Sequence, residues 1–487
     1  MTAELEKIKS NLLAPTDTRD GMGRRTSRIV PRRLSSMHAN REDLYAGPTI
    51  IAPPQHLNMP STAHATAHAM ELAKHHLAEG SPDTTPGATP DESKDSTAAT
   101  TPEEGYLKTT DKFAFAFDID GVLIKGGDVI PEAIEAMKML NGENTYNIKV
   151  YTPSPSPTNK NPPLTPPPSP YIFVTNGGGK SEEERCLQLS RQLDIEVSPG
   201  QFICGHTPMR ELAQKYKTVL VVGGEGEKCR QVAEGYGFKD VITPGDIIKD
   251  NEHTTPFRKL TDAEHSASRH RNYGEVEIEA IFVFADSRDW AGDQQIILDL
   301  CMSVNGRLGT RSATFDQGPP VFFSHNDVIW ATNHSFSRIG MGALRASLEA
   351  MFKAITGSEL KTIAFGKPQL GTFQFATRLL RQWRMDTHGI DGPPDTVYFV
   401  GDTPESDIRG TNEFDESGKA GRASWYSILV RTGVYREGTR PAFEPKVQVG
   451  TVLDAVRHGM EMEFGKALEK VRSGEGGSVE GAIVEEE

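Results

Sequence analysis

The chain has 487 residues, of which only 36% are hydrophobic, and 67 acidic side chains against 53 basic ones leave a formal charge of -14. That balance gives no general reason to expect nucleic-acid binding, and no apolar run approaches the roughly 20 residues needed to cross a bilayer. The length accommodates several domains and a substantial core.

Residues 1 to about 105 are poor in aromatics and rich in Thr, Ala, Pro and His, with a Pro, Thr, Asp and Glu tract over 82–104. This composition reads as a disordered leader over residues 1–109. The segment GRRTSRIVPRRLSS, residues 23–36, has the Arg and Ser content of a mitochondrial targeting leader, which would place the protein in the matrix. Glu4 and Glu6 favour the alternative, a cytoplasmic disordered arm, because such leaders are poor in acids. The four cysteines, Cys186, Cys204, Cys229 and Cys301, show neither close metal-ligand spacing nor a dense disulfide framework, so they read as reduced structural thiols.

The folded region starts near Lys112. FAFAFDIDGVL, residues 113–123, is an apolar strand ending in two carboxylates, Asp118 and Asp120, which strand alternation puts on one side of the chain. Pro131 and AIEAMKML predict a helix over 133–140. Residues 153–170 are proline-rich and read as an exposed insertion before the strand YIFV and the turn TNGGG. Ser181 and Glu184 then form a capping-box pattern opening a helix.

From 218 to 244 the pattern is strand, helix, strand, followed by a loop carrying His253, His265 and His270. The histidines lack a zinc spacing. A strand near 277–285 and helices near 294–304 and 342–355 come next, and the glycines of VVGGEGE, residues 221–227, read as a tight turn. DSRDW, residues 286–290, and SHNDVIWATN, residues 324–333, serve equally well as structural loops or as elements facing a substrate. The apolar segments TIAFGK and TVYFVGD, with a helix near 371–384 between them, precede WYSILVRTG. Thr175, Lys367, Asp402 and Asp407 thus each follow an apolar strand, where open α/β sheets carry ligand-binding loops.

The motifs FDIDGVL, YIFVTNGGG, IAFGKP and VGDTPESDI, in that order, resemble those of the haloacid dehalogenase-like hydrolases, class IIA, and most of all the cat eye syndrome critical region 5-like mitochondrial group. The resemblance spans about 112–440. The order of the segments divides the chain into a core over 110–197 and 358–450 interrupted by a cap over 198–357, and the Gly- and Glu-rich end reads as a C-terminal helix with an acidic flexible tail over 451–487. The resemblance implies an α/β fold in which that core is Rossmann-like and the cap an inserted α/β class C2 domain. It also implies Asp118 as nucleophile and Mg²⁺ ligand, with Asp120 as acid/base residue whose carbonyl approaches the metal. Thr175 through its hydroxyl and Asn176 through its backbone would bind the phosphoryl group, and Lys367 would be catalytic, its charge stabilising both the nucleophile and the phosphoryl group, so that its loss would weaken chemistry more than folding. Asp402 would ligate the metal directly, and Asp407 would either ligate it or orient a metal-bound water.

The function so implied is magnesium-dependent hydrolysis of a small phosphomonoester through an aspartyl-phosphate, with a small phosphorylated metabolite as partner. The alternative is a phosphate-metabolite binding or mitochondrial scaffold protein that keeps the hydrolase fold, with a homo-oligomer or scaffold partner left open. A phospholipid-forming transferase is disfavoured by the absence of apolar spans and of the recurrent aspartate motif such enzymes carry.

Overall fold

The computed structural model describes residues 112–142 and 169–473. The expected leader, nearly all of the proline-rich insertion and the acidic tail lie outside the described residues. Apolar, β-branched and aromatic runs form the strands, and amphipathic segments between them pack back as helices. In chain order, β1 (Phe113–Phe117) leads through a hairpin of β2 (Ile124–Lys125) and β3 (Asp128–Val129) into α1 (Pro131–Leu140). β4 (Tyr171–Val174), α2 (Glu182–Leu193) and β5 (Phe202–Ile203) follow. Next come β6 (Thr218–Val222), α3 (Lys228–Gly235), β7 (Asp240–Ile242), α4 (Pro244–Asp250), α5 (Asp262–Ala267), β8 (Ala280–Val283), α6 (Trp290–Cys301) and β9 (Val321–Phe323). A second hairpin, β10 (Ile329–Trp330) and β11 (Arg338–Ile339), precedes α7 (Met341–Thr356) and β12 (Thr362–Ala364). The last elements are α8 (Leu370–His388), β13 (Thr396–Gly401), α9 (Arg409–Glu416), β14 (Ser424–Val430), β15 (Val447–Val449) and α10 (Val452–Arg472).

Two parallel sheets result. The first runs β15-β14-β13-β1-β4-β5, and β1 at its centre is buried on both faces. Phe113, Phe115 and Phe117 pack on one face with Met137 of α1, Leu189 of α2 and Val456 of α10. Ala114 and Ala116 face the other way, toward Phe373 of α8 and Phe414 of α9. The small side chains let the helices of that face approach closely, while the aromatic ones fill the opposite layer. The second sheet runs β12-β9-β8-β6-β7, with α4, α6 and α7 on one face and α3 on the other. The expected α/β architecture, a Rossmann-like core with an additional α/β domain, is what the chain adopts. No helix among the described residues is long and apolar enough to cross a membrane.

Strand membership departs from the expected segment boundaries at two places. Phe202–Ile203, expected within the cap, pairs with Phe173–Val174 and extends the first sheet. Thr362–Ala364, expected in the resumed core, pairs with Val321–Phe323 and closes the second. Short apolar runs of this kind carry no local signal for which sheet they join. The predicted cap at Ser181 forms, its hydroxyl accepting from the Glu184 amide at 3.2 Å. The Glu184 carboxylate lies 3.4 Å from Lys180 and 3.8 Å from Lys228 instead of closing the box. The histidine-bearing stretch, read as a loop, includes the short helices α4 and α5. All four cysteines are free and buried, as their spacing predicts.

His388, at the end of α8, is 2% exposed and both of its ring nitrogens lack a hydrogen-bond partner. Burial, with the Arg384 charge adding to it, lowers its pKa to about 4. The folded chain therefore holds it neutral while the unfolded chain takes up a proton below about pH 6.5, so stability falls as pH drops from there through the folded value. His388→Leu is expected to reduce the loss of unfolding free energy between pH 7 and pH 4.5 by about 2 kcal/mol. Urea titrations of both proteins at the two pH values measure it; parallel losses would contradict the assignment.

Candidate active site

The site sits at the C-terminal ends of β1, β4 and β13, adjacent strands of the first sheet. Asp118 continues β1, its amide donating to the Val400 carbonyl of β13 at 2.9 Å. Asp402 follows β13 directly, and Asp407 lies five residues on in a π-helical turn over Pro404–Ile408. The turn returns Asp407 Oδ2 to the strand end, where it accepts from the Asp402 and Thr403 amides at 3.0 Å each. Lys367 arrives from the second sheet, in the loop after β12. Its Nζ lies 2.7 Å from Asp118 Oδ1 and 2.9 Å from Asp407 Oδ1.

All four groups are shielded from solvent: Asp118 is 7% exposed, Lys367 and Asp402 1% each, and Asp407 0%. Asp118 and Asp407 thus share one ammonium, with the Asp402 carboxylate buried beside them. Burial holds the Asp118 carboxyl above its ordinary range, and Lys367 pulls it back. Asp402 is pushed up to about 7, first by burial and then by the neighbouring Asp407 charge. Burial opposes charge on Lys367 as well, but Asp118 and Asp407 outweigh it and keep the ammonium above its usual pKa. One oxygen from each of Asp118, Asp402 and Asp407 lies within 4.8 Å of the others. An all-oxygen, negatively charged and buried donor set of this kind fits a hard divalent cation such as Mg²⁺.

Close backbone approach makes the cluster possible. Gly121 has φ +91°, and a Cβ there would lie 2.2 Å from Asp402 Oδ2. At Gly433, after β14, a Cβ would lie 1.8 Å from the same oxygen, and the next amide, Val434, donates to it at 2.6 Å. Thr432 ties the two loops together by donating from Oγ1 to the Gly121 carbonyl at 2.5 Å. Neither Thr432 nor Gly433 stands out in the sequence beyond following an apolar strand.

Asp120 is partly exposed at the cavity mouth, with Arg185 Nη2 3.9 Å from its Oδ1. Thr175 is 3% exposed, and its hydroxyl accepts from the Gly177 amide at 3.0 Å. The Asn176 side chain has a different task. Its Oδ1 accepts from the Lys367 amide at 2.8 Å and its Nδ2 donates to the Lys367 carbonyl at 3.1 Å. The same Nδ2 donates to Asp327 Oδ2 at 2.8 Å. Asn176 therefore clamps the backbone that presents the lysine, although 191 residues separate the two in sequence.

Asp118, Asp120, Thr175, Asn176 and Asp402 line a cavity of about 480 Å³, beside which Lys367 and Asp407 are buried. Its remaining wall comes largely from the second domain, including both stretches left open between structure and substrate contact: Asp286, Arg288 and Trp290 from DSRDW, and His325, Asp327, Ile329 and Trp330 from SHNDVIWATN. Another group with metal-ligand chemistry, Glu182, Cys204 and His206, lies nearby. Its polar atoms are engaged by neighbouring hydroxyls: Glu182 Oε1 accepts from Thr207 Oγ1 at 2.7 Å and from Tyr236 OH at 2.5 Å, and His206 Nδ1 lies 2.7 Å from the latter hydroxyl. This closed network joins α2 of the first domain to the end of α3 in the second.

The model of the family described as "Haloacid dehalogenase-like hydrolase" matches residues 115–239, and that described as "HAD-hyrolase-like" matches 364–455. A mitochondrial hydrolase of Saccharomyces cerevisiae is 36% identical over 379 residues, covering 73% of this chain and 97% of the yeast protein. The chain belongs to the haloacid dehalogenase-like hydrolases. Another relative of this hydrolase, a cardiolipin synthase (CMP-forming)/mitochondrial hydrolase fusion protein of Schizosaccharomyces pombe, is 36% identical over 366 residues. That match covers 74% of this chain and 56% of the fusion protein, so the hydrolase spans little more than half of that relative's length. Among solved structures, a possible sugar phosphatase from Cytophaga hutchinsonii superposes with a TM-score of 0.45 at 17% identity, over 72% of this chain and 98% of that one.

Proposed function

We propose that this hydrolase is a magnesium-dependent phosphatase acting on a phosphomonoester through an aspartyl-phosphate intermediate, within class IIA and the cat eye syndrome critical region 5-like group. The observation that carries this reading is the buried cluster in which Asp118, Asp402 and Asp407 converge and Lys367 pairs with Asp118 and Asp407. Asp118 Oδ attacks phosphorus; a P–O bond to Asp118 forms as the bond to the leaving alcohol breaks. Asp120, on the same loop and facing the cavity, protonates the departing oxygen and then takes a proton from the water that hydrolyses the acyl phosphate. Thr175 and the backbone at Asn176 hold phosphoryl oxygens, and Lys367 offsets the charge that accumulates on them.

Asp118, Asp402, Asp407 and the carbonyl of Asp120 would hold Mg²⁺, which supplies charge neutralisation and orientation for the phosphoryl group. The second domain, with the hairpin β10–β11, acts as a cap, and its residues rather than the core decide which alcohol is accepted. The cap spans about 198–357, except that Phe202–Ile203 belongs to the core sheet and Thr362–Ala364 to the cap sheet. The similarity to mitochondrial proteins of two yeasts supports a mitochondrial location.

Phosphate release from a panel of phosphomonoesters, with Mg²⁺ and then with excess chelator, tests the reading. Release that chelation abolishes, accompanied by a rise of several degrees in Tm on adding Mg²⁺ to metal-free protein, is the expected result. A folded protein that binds phosphomonoesters yet releases nothing would turn the assignment toward a phosphate-metabolite binding or scaffold role.

A further inference from the structure

Resting on the phosphatase reading of the site, we propose that the substrate of this hydrolase is a phosphomonoester whose body contains a planar ring and carries a second anionic group, read by Trp330 and Trp290 for the ring and by Arg338 and Arg288 for the charge.

The cavity volume is the first observation. About 480 Å³ falls among pockets that enclose a ligand of drug size, about 300–1,000 Å³, and exceeds what a phosphate on a three-carbon alcohol would fill. The second is the chemistry of the wall that the second domain contributes. Ile329, Trp330 and Ile339 of the hairpin are 42%, 38% and 63% exposed and line the cavity. Large apolar side chains left in water on a two-stranded element are a cost unless something covers them. Trp290, at the first turn of α6, adds a second indole to the same cavity.

The guanidinium groups supply the third observation. Arg288 and Arg338 both line the cavity, are both exposed, and have no carboxylate partner among the described residues. Their hydrogen bonds go to nearby backbone carbonyls, Arg288 Nη1 to Asp286 at 2.9 Å and Arg338 Nε to Ser337 at 3.1 Å, which leaves their remaining N–H groups free to meet a ligand. The transferred phosphoryl already has Lys367, Thr175 and the metal site. Cations on the cap wall therefore answer a different anion, and a guanidinium can take a carboxylate or phosphate through paired donors.

The hairpin is held over the cavity from outside. Asn333, between its strands, donates from Nδ2 to Asp128 Oδ2 of the core at 2.9 Å. Arg436 of the core donates to the Ser335 carbonyl and stacks 5.3 Å from the Phe336 ring centre. With its tip anchored, the hairpin presents Trp330 and Arg338 as a preformed surface, so little ordering entropy is lost when a ring and an anion bind there.

The test compares 4-carboxyphenyl phosphate with 4-carbamoylphenyl phosphate, which share a shape and differ in one charge, using the full chain with Mg²⁺. The ratio of kcat/KM for the carboxylate to that for the amide is measured in wild type, Arg338→Gln and Arg288→Gln. Comparing ratios cancels the difference between the leaving groups. The ratio is expected to fall about tenfold or more in Arg338→Gln and to fall in Arg288→Gln as well. Trp330→Ala should raise KM for both compounds together and leave the ratio alone. A ratio unchanged in both arginine variants, with Tm unaltered, overturns the proposal. Should wild type turn over no phosphomonoester, the phosphatase reading fails by itself. Calorimetric binding of the same two compounds to Asp118→Asn protein then decides the inference: it stands if the carboxylate binds about tenfold more tightly and Arg338→Gln removes the preference, and falls if the two bind alike.

Discussion

Asp118→Asn is expected to lower phosphate release on the order of 10⁴-fold or more, the scale on which loss of a nucleophile acts, while the metal-free protein stays folded and gains stability. The two effects have one origin. Asp118 is 7% exposed, next to two further buried carboxylates, and burial already holds its carboxyl above the usual range. An amide of the same shape relieves that like-charge crowding, and Lys367 keeps Asp407 as its partner at 2.9 Å. It cannot attack phosphorus. The same exchange weakens the divalent site by one charge, so the rise in Tm on adding Mg²⁺ should be smaller than in wild type. Phosphate release and thermal melts with and without Mg²⁺ measure both. Appreciable turnover in purified Asp118→Asn protein would remove Asp118 from the nucleophile role, and a large fall in metal-free stability would contradict the electrostatic account.

Lys367→Met should be the most damaging single change for the metal-free protein, costing about 3–5 kcal/mol of stability, because removing one partner of a buried ion pair leaves uncompensated charge. The sequence alone suggested that losing this charge would weaken chemistry more than folding. The tertiary setting assigns Lys367 a structural share too: it is 1% exposed and lies between Asp118 and Asp407, the only described cation within salt-bridge distance of either. Saturating Mg²⁺ is expected to recover part of the stability, since a divalent cation answers the same carboxylates, but not the activity, since the phosphoryl group loses its cation. Urea unfolding with and without Mg²⁺, alongside phosphate release, separates the two roles. If Lys367→Met were as stable as wild type without metal, the carboxylates would have to be protonated in the native protein, and the electrostatic reading of the cluster would be wrong.

The carboxylate cluster was legible because its parts are encoded locally. FAFAF, YIFV and TVYFVG are short apolar runs bounded by polar turns, and each delivers Asp118, Thr175 or Asp402 to the same end of a parallel sheet. The site of Lys367 was legible in position but not in origin. TIAFG reads as one more core strand, whereas β12 pairs with β9 and the lysine enters from the second domain's sheet. Asn176 was expected to serve the phosphoryl group through its backbone; its side chain is committed to the Lys367 backbone and Asp327, pairings that no local pattern encodes.

What the sequence by itself determined was the alternation of strand and helix, the apolar faces that bury β1, and the strand-end positions of Asp118, Asp120, Thr175, Asp402 and Asp407. Those features follow from periodicity and turn chemistry within a few residues of each position. Only the tertiary structure decided that Gly121 and Gly433 admit the Asp402 carboxylate from two sides, that Asn176 clamps the Lys367 loop, and that Arg338 of the β10–β11 hairpin and Arg288 before α6 join an apolar wall in the cavity that the acids line. Each of these depends on chain segments far apart in sequence meeting at van der Waals or hydrogen-bond distance, which the packing of two sheets imposes and short-range periodicity does not encode.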